Sequence, residues 1–268
     1  MKIFVIKDEE NKSIAYLFYY EKSKKFYIEL SNDSDEWNTP LLLSSFLKKG
    51  EKSINSYWSE QWVKQRIIPT DRQNLGSILK DNNLEEYDEY KLLVMNHGRC
   101  SQDDYYIVEI KKTDLPKEYV DRNKKRIENV IALNNYELLV TFRSSEIKKY
   151  NVLKYQDLNK KMLRILNSKE LFELVKVDID GHGICWGENI NISCEEIYEH
   201  SVKIPLTRDD LKLIIKNSCM DTSGVTQELN CSKQNVDDLV KRNKLHPFKE
   251  GNKYKLFYKW EIEKRNWK

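Results

Sequence analysis

The C-terminal stretch of the chain constrains its fold most, because it alternates short amphipathic helices with polar and basic turns. Residues 222–229 predict one helix, with Thr222 or Ser223 as its N-cap, and residues 232–242 predict a second helix that opens with a capping serine. Only a polar turn separates the two. A basic hairpin centred on Gly251 follows. The pattern predicts a small module of helices with a β-hairpin.

The second helix of this module has one apolar side and one polar side. Val236, Leu239 and Val240 recur at i, i+3 and i+4, so we expect them to face the core. The polar side chains then left outside are Lys233, Gln234, Asn235 and Arg242. Gln and Asn can pair bidentately with adenine, and Lys with guanine or phosphate. The pattern favours a helix that reads base edges.

The stretch from Thr222 to Pro247 resembles the winged helix of MerR and excisionase-type DNA-binding domains. The matching pattern is Thr222-Ser223-x-Val225-x-x-x-Leu229-x-Cys231-Ser232-x-Gln234-x-Val236-x-x-Leu239-Val240-x-Arg242-x-Lys244-Leu245-x-Pro247. The resemblance implies that the second helix enters the major groove of duplex DNA and that the hairpin, or wing, contacts phosphate. The predicted DNA contacts are Thr222, Ser223, Ser232, Lys233, Gln234, Asn235, Arg242, Lys244, Lys249, Lys253, Tyr254 and Lys255.

The charge distribution supports a nucleic-acid partner at this end of the chain. Residues 206–268 hold 14 Lys or Arg against 9 Asp or Glu, whereas the whole chain carries a net charge of only +3. Asp237 and Asp238 lie near the reading side and disfavour DNA. They keep open the alternative that the winged helix is a docking surface for a protein.

Residues 1–115 predict a first α+β domain, with strands at 3–6, 13–20, 25–30 and 105–110 and helices between them. The segment Trp62-Val63-x-x-Arg66-Ile67-Ile68-Pro69-x-x-Arg72-x-Asn74, with Gly98-Arg99-x-x-x-Asp103-Asp104, resembles the N-terminal lobe of HipA-type toxin kinases. The resemblance implies a binding lobe without phosphoryl transfer. Its candidate partner-binding residues are Arg66, Arg72, Arg99, Asp103 and Asp104. The alternative for these residues is an ion-pair network that fixes the loops.

Residues 114–123 predict a linker, and residues 124–204 predict a second small α+β domain built on a β-meander. Its order of elements resembles a small bacterial α+β family of unassigned function, whose pattern is three strands, a helix, Phe-x-x-Val, a turn, Gly-x-Ile-x-Trp and Ile-Ser-x-Glu-x-Ile-Tyr. The matching residues are Leu138, Val140, Phe142, Tyr150, Val152, Phe172, Val175, Val177, Trp186, Ile192, Ser193, Ile197 and Tyr198. That family is often joined to helix-turn-helix domains. The matching positions are mostly apolar and therefore indicate a fold rather than a site.

One set of residues in this domain has the composition of a zinc site. His182 and Cys185 are followed by Cys194 and His200, and four such ligands can bind Zn²⁺ tetrahedrally. His182 and Cys185 flank an apolar, strand-like run, where Cys is usually a small core residue. We therefore predict no metal and no cofactor. The five cysteines are scattered and contain no C-x-x-C pair, so a disulfide framework is not indicated either.

Together these patterns predict a multidomain α+β protein, with a winged helix-turn-helix at 206–268 after the two smaller domains. No Gly-rich phosphate loop, G-x-S-x-G or H-E-x-x-H occurs, so we expect no enzyme. The N-terminus turns acidic too soon for a signal peptide, which predicts a cytoplasmic protein without a membrane partner. The predicted function is a regulator that binds double-stranded DNA, and the family resemblances alone imply a toxin–antitoxin or mobile-element setting. The alternative is an antitoxin-like or phage-encoded interaction protein.

Overall fold

The computed structural model describes residues 1–155, 160–187, 190–204, 208–252 and 254–265. The chain forms two compact units, Met1–Val120 and Asp121–Lys268. Both contain helices and small antiparallel sheets, so the predicted α+β class is confirmed. Within the described part of the chain, no helix is long and apolar enough to cross a membrane.

The first unit is built on one five-stranded antiparallel sheet in the order β4-β3-β2-β1-β5. Its elements are β1 Lys2–Lys7, β2 Ser13–Tyr20, β3 Lys25–Leu30, α1 Leu41–Lys48, β4 Ser53–Ile54, α2 Ser56–Lys64, α3 Leu75–Asp81, α4 Glu89–Met95 and β5 Tyr106–Glu109. β1 to β3 are rich in aromatic and β-branched residues, which suit the two covered faces of a pleated strand. Trp62 and Leu93 reach this core from α2 and α4 and are fully buried.

The sequence of residues 54–66 predicts one helix, but Ile54 pairs with Ile28 as part of β4 and the helix α2 begins at Ser56. The predicted linker at 114–123 contains the boundary between the two compact units, and most of it is the helix α5, Lys117–Lys124. Its Tyr119 is buried and stacks on Phe18, with the ring centroids 4.9 Å apart. A helix that places an aromatic residue in a core cannot act as a flexible connection.

The second unit holds three small sheets, of order β12-β8-β7-β6, β11-β10-β9 and β13-β15-β14. Its strands are β6 Ile127–Ala132, β7 Glu137–Phe142, β8 Ile147–Asn151, β9 Lys176–Val177, β10 Gly183–Cys185, β11 Asn191–Ser193, β12 Val202–Lys203, β13 Cys219–Asp221, β14 Lys249–Gly251 and β15 Tyr254–Tyr258. Its further helices are α6 Lys160–Leu166, α7 Lys169–Phe172, α8 Cys194–His200, α9 Arg208–Ser218, α10 Thr222–Glu228, α11 Lys233–Lys241 and α12 Lys259–Glu263. The sequence of residues 191–198 predicts one short helix, but 191–193 form the strand β11 and the helix α8 begins at Cys194.

The four-stranded sheet of this unit is covered on both faces. Leu138, Val140 and Tyr150 pack into a core that includes Trp186 and Ile197. The opposite face carries Ile131, Leu133 and Leu139, against which Leu213 and Ile214 of α9 pack. Successive residues of a strand point to opposite faces, so this alternation follows from the sequence of β7.

Polar contacts add to the packing of α9 on the sheet. The amide Nδ2 of Asn129 donates to the hydroxyl of Ser218 over 3.1 Å, and both residues are buried. Lys149 Nζ lies 3.5 Å from a carboxylate oxygen of Asp210 and 2.8 Å from one of Glu137. α9 is therefore fixed at both of its ends, and it leads directly into the C-terminal elements.

Candidate nucleic-acid interface

α10 and α11 are joined by a short turn, and each helix begins with a side-chain cap. Asp221, not Thr222 or Ser223, caps α10, because its carboxylate accepts from the Gly224 N–H over 2.8 Å. The sequence prediction for this cap is wrong by one residue, and Thr222 and Ser223 lie in the first turn of the helix. Asn230 takes the left-handed conformation with φ of +46°, which Asn tolerates better than most residues.

The start of α11 agrees with the sequence prediction. The hydroxyl of Ser232 accepts from the Asn235 N–H over 3.2 Å, which caps the helix. Val236 is fully buried, and Leu239 and Val240 pack partly buried against the same core. That core also contains Val225, Leu245, Phe257 and Ile262, so α10, α11, β15 and α12 share it. The orientation of α11 is thus fixed by its apolar stripe.

The polar side of α11 is open to solvent. Lys233, Gln234 and Asn235 are exposed on its first turn, and Arg242 and Lys244 are exposed just beyond its last turn. The sequence analysis missed Lys241, which is also exposed. Its position seven residues after Gln234 places it on the same side of a helix and was a usable signal. These side chains form a polar, positively charged surface along α11.

β14 and β15 form the hairpin that the sequence predicted around Gly251. Lys249 pairs with Leu256, and Gly251 pairs with Tyr254. Lys249 and Tyr254 are exposed, whereas Lys253 lies outside the described residues. A Cβ on Gly251 would lie 2.4 Å from the ring of Tyr254, so the glycine makes room for that ring.

Lys255 points from the hairpin to α11 and does not extend freely into solvent. Its Nζ lies 2.7 Å from a carboxylate oxygen of Asp237, and its side chain is about one-third exposed. The hydrogen bond and charge of Lys255 hold the pKa of Asp237 below its ordinary value. Lys255 thus offsets the negative charge of Asp237, one of the two acidic residues on α11, and links the hairpin to the helix.

The Asp237–Lys255 pair gives a testable pH dependence. A group with a lowered folded pKa stabilises the fold above its ordinary titration range, and that contribution is lost as the pH falls through the folded pKa. We expect Lys255→Met to raise the pKa of Asp237 towards its ordinary value, as measured by NMR titration of the side-chain carboxyl. Lys249→Met, on the same hairpin, is the matched control and should leave the pKa of Asp237 unchanged. An unchanged pKa in Lys255→Met would show that the pair does not persist in solution.

Of the five candidate partner-binding residues of the first unit, Arg66 is buried and the other four are at least partly exposed. The Arg66 side chain is only 1% exposed, its guanidinium pairs with Asp103, and it stacks on the Trp62 ring at 3.8 Å from the centroid. Arg99 lies over the Tyr106 ring at 4.7 Å. Arg72 and Asp104 are exposed. The Arg66–Asp103 pair has the geometry of a structural ion pair.

The four residues weighed as a zinc set are placed by the fold of the second unit. His182 and Cys194 are buried and their backbones are bonded to each other, with the Cys194 N–H donating to the His182 carbonyl over 2.9 Å. Cys185 lies in β10, and burial raises the pKa of its thiol to about 12. His200 is exposed, with Nδ1 3.1 Å from a Glu196 carboxylate oxygen. Among the described residues, no group of three or more His, Cys, Asp or Glu is arranged to hold a metal ion.

Residues 127–203 match the model of a family described as "Protein of unknown function (DUF2442)". The matched segment begins with β6 and ends with β12, so it coincides with the four-stranded sheet and the elements packed on its first face. No curated protein and no solved structure matches the chain. The C-terminal surface lies outside the matched segment, and its function has to be inferred from its own geometry.

Proposed function

We propose that the C-terminal elements α9 to α12 form a winged helix-turn-helix that binds duplex DNA and makes the protein a DNA-binding regulator. The observation that carries this proposal is the exposed first turn of α11, with Lys233, Gln234 and Asn235 side by side. In helix-turn-helix proteins the N-terminal residues of the second helix contact base edges in the major groove. Gln and Asn suit adenine and Lys suits guanine or phosphate.

The hairpin gives the same module a second contact region. Lys249 and Tyr254 are exposed on it, and Arg242 and Lys244 lie exposed between α11 and the hairpin. Basic side chains of this kind contact phosphates, which position a protein on DNA without specifying sequence. Lys255 acts differently in this proposal, because its ammonium group pairs with Asp237 and holds the hairpin relative to the reading helix.

The packing of α9 fixes the position of the proposed DNA-binding elements relative to the sheet β6–β8. Leu213 and Ile214 of α9 are part of one apolar cluster with the sheet β6–β8, and the Asn129–Ser218 hydrogen bond ties the end of α9 to that sheet. β13 continues directly from α9 and pairs with β15 of the hairpin. Packed side chains and strand pairing thus join the four-stranded sheet to the proposed DNA-binding elements.

One observation favours the alternative of a protein-docking module. Asp238 is exposed on α11, and Glu250 is exposed on the hairpin. Neither residue suits a surface that lies against phosphates. In a docking module the same exposed polar side chains would contact a partner protein, and the affinity for DNA would be absent at every salt concentration.

The test is selection of duplexes from a random pool by the full chain, followed by affinity measurement with the selected duplex. Gln234→Ala/Asn235→Ala should cost about 2 kcal/mol or more, because each bidentate base contact contributes ~1–3 kcal/mol of discrimination. Asn217→Ala, an exposed polar residue on α9, is the matched control and should bind as the unmodified protein does. The variants' folds are compared by thermal unfolding.

Salt dependence separates specific DNA binding from the docking alternative. Each neutralised phosphate releases counterions, so the association constant for DNA decreases as the salt concentration rises. When Lys233 is replaced by Ala, the negative slope of the logarithm of this constant against the logarithm of the salt concentration should become shallower by about 0.9. No duplex enriched over the starting pool, or binding indifferent to the Gln234→Ala/Asn235→Ala change, would rule the proposal out.

A further inference from the structure

The first unit carries an exposed apolar surface that its own core does not use. Trp37 is 94% exposed and Leu41 is 91% exposed, whereas a large apolar residue normally loses most of its surface on folding. Leu41 lines a cleft of about 550 Å³ together with Pro40, Leu42 and Trp58, and Trp37 lines a neighbouring cavity. We call this cleft with Trp37 and Leu41 the tryptophan cleft. Exposed patches of this kind mark interaction sites.

Hydrogen bonds fix the backbone of the loop that carries Trp37. A carboxylate oxygen of Asp35 accepts from the Trp37 N–H over 2.8 Å and from the Asn38 N–H over 2.9 Å. The Asn38 side-chain oxygen accepts in return from the Asp35 N–H over 2.8 Å. Pro40 then precedes α1, whose first residue is Leu41. The loop that carries Trp37 is thus ordered by its own hydrogen bonds, and binding of a partner would cost little conformational entropy of this loop.

Acidic residues surround one side of the tryptophan cleft. A second cavity of about 490 Å³ shares Asp103 and Tyr105 with it and is lined by Trp37. Its acidic lining residues are Asp8, Glu9, Glu10, Asp35, Asp103 and Asp104. The single basic lining residue within the described cavity is Lys12, whose Nζ lies 2.5 Å from a Glu10 carboxylate oxygen.

Two of these carboxylates are paired with a basic side chain. Asp103 is paired with the buried Arg66, and Glu10 with Lys12. Glu9 and Asp104 are exposed and carry no ion pair within 4.0 Å among the contacts of the described residues. The surface beside the cleft therefore remains negative, and it repels nucleic acid and anionic lipid surfaces. Its complement is a cationic group beside an apolar one.

We propose that the tryptophan cleft binds a basic amphipathic segment of a partner protein. A bulky apolar side chain of that segment enters the cleft beside Leu41 and Trp58, a second apolar group packs on Trp37 in the neighbouring cavity, and the segment's Lys or Arg side chains lie along Glu9, Asp35 and Asp104. Aromatic residues in pockets dominate binding energies at such surfaces, and complementary charge sets the association rate and orientation. The proposal does not depend on DNA binding by the C-terminal elements.

The experiment is selection of peptides from a random display library by the full chain, after depletion on the Trp37→Ala/Leu41→Ala variant. Depletion removes peptides that bind elsewhere, including the basic C-terminal surface. We expect the enriched peptides to combine Lys or Arg with Trp, Phe, Leu or Ile. By fluorescence polarisation their affinity should fall at least about tenfold in the Trp37→Ala/Leu41→Ala variant, which removes two anchor side chains.

Further variants separate the apolar and the charged contributions. Glu9→Gln/Asp104→Asn should lower the affinity for the peptides several-fold at low salt but only slightly at high salt, because salt screens exposed charges. Met95→Ala, an exposed apolar residue of α4 outside both cavities, is the control and should not change the affinity. Thermal unfolding of each variant checks the fold.

Three results would overturn the proposal. The first is a library from which no peptide is enriched, or from which only neutral or acidic peptides are. The second is an affinity that the Trp37→Ala/Leu41→Ala change leaves intact. The third is a concentration-dependent self-association in analytical ultracentrifugation that this variant abolishes, which would assign the cleft to a second copy of the chain.

Discussion

Gly181→Ala is expected to destabilise the second unit by about 3–5 kcal/mol, because the added methyl group would clash with neighbouring backbone atoms and alanine would be strained at the positive φ of this position. A Cβ at Gly181 would lie 2.2 Å from the carbonyl oxygen of Ile127 and 2.9 Å from its nitrogen. Neither atom can move without shifting β6, whose pairing with β7 begins at Ile127. In addition, Gly181 has a φ of +76°, which L side chains rarely adopt.

The matched control for this change is Gly187→Ala. Gly187 also has a positive φ, +69°, but among the described residues, its chain neighbours aside, a Cβ there would meet no heavy atom within 4 Å. It should therefore cost only the backbone strain, about 1–2 kcal/mol. The measurement is chemical unfolding of both variants, followed by a probe in the second unit such as the buried Trp186. Equal losses in the two variants would contradict the close approach of Gly181 to β6.

Asp180, next to Gly181, shows why this turn is demanding. It has a φ of +52° and its carboxylate bonds with the guanidinium groups of Arg126 and Arg143, the latter at 2.6 Å. Arg126 is buried. The turn thus holds the side chains of Arg126 and Arg143, and a shift of the turn would also disturb these two ion pairs.

The elements that could be predicted from the sequence are those whose signals are local. β1 to β3 are runs of aromatic and β-branched residues, and the stripe of Val236, Leu239 and Val240 fixes the inner side of α11. Ser232 caps α11 by a contact three residues away. Such features need no knowledge of distant parts of the chain.

The elements that were missed depend on partners far along the chain. β4 exists because Ile54 pairs with Ile28, and β13 because it pairs with β15. α5 was predicted as a linker from its charges and Pro116, although proline suits the first turn of a helix. Its buried Tyr119 is explained only by the distant Phe18.

The candidate DNA-binding residues show the same division. The exposure of Lys233, Gln234 and Asn235 follows from the helical period alone. The pairing of Lys255 with Asp237 does not, because it joins a strand to a helix. Likewise, the sequence could not distinguish Asp103, which pairs with a buried arginine, from its exposed neighbour Asp104.

That difference between adjacent aspartates leads to a second large expected effect. Asp103→Ala should destabilise the first unit by about 3 kcal/mol, because it leaves the charge of a buried guanidinium without its carboxylate. The side chain of Arg66 is only 1% exposed, and burial already lowers the pKa of this group, against the opposing effect of Asp103. Asp103 is itself 25% exposed, so we place the loss at the lower end of the range for buried pairs.

Asp104→Ala is the control, because it removes the same group one residue away from an exposed position. Surface changes of this kind usually stay within about 0.5 kcal/mol. Chemical unfolding of both variants gives the comparison, and Arg66→Met/Asp103→Leu, which removes both charges, should recover much of the loss. If Asp103→Ala unfolds like Asp104→Ala, Arg66 is solvated in the native protein. If it does not, Asp103 acts in the fold, and partner binding beside Trp37 has to rely on the exposed carboxylates of Glu9, Asp35 and Asp104.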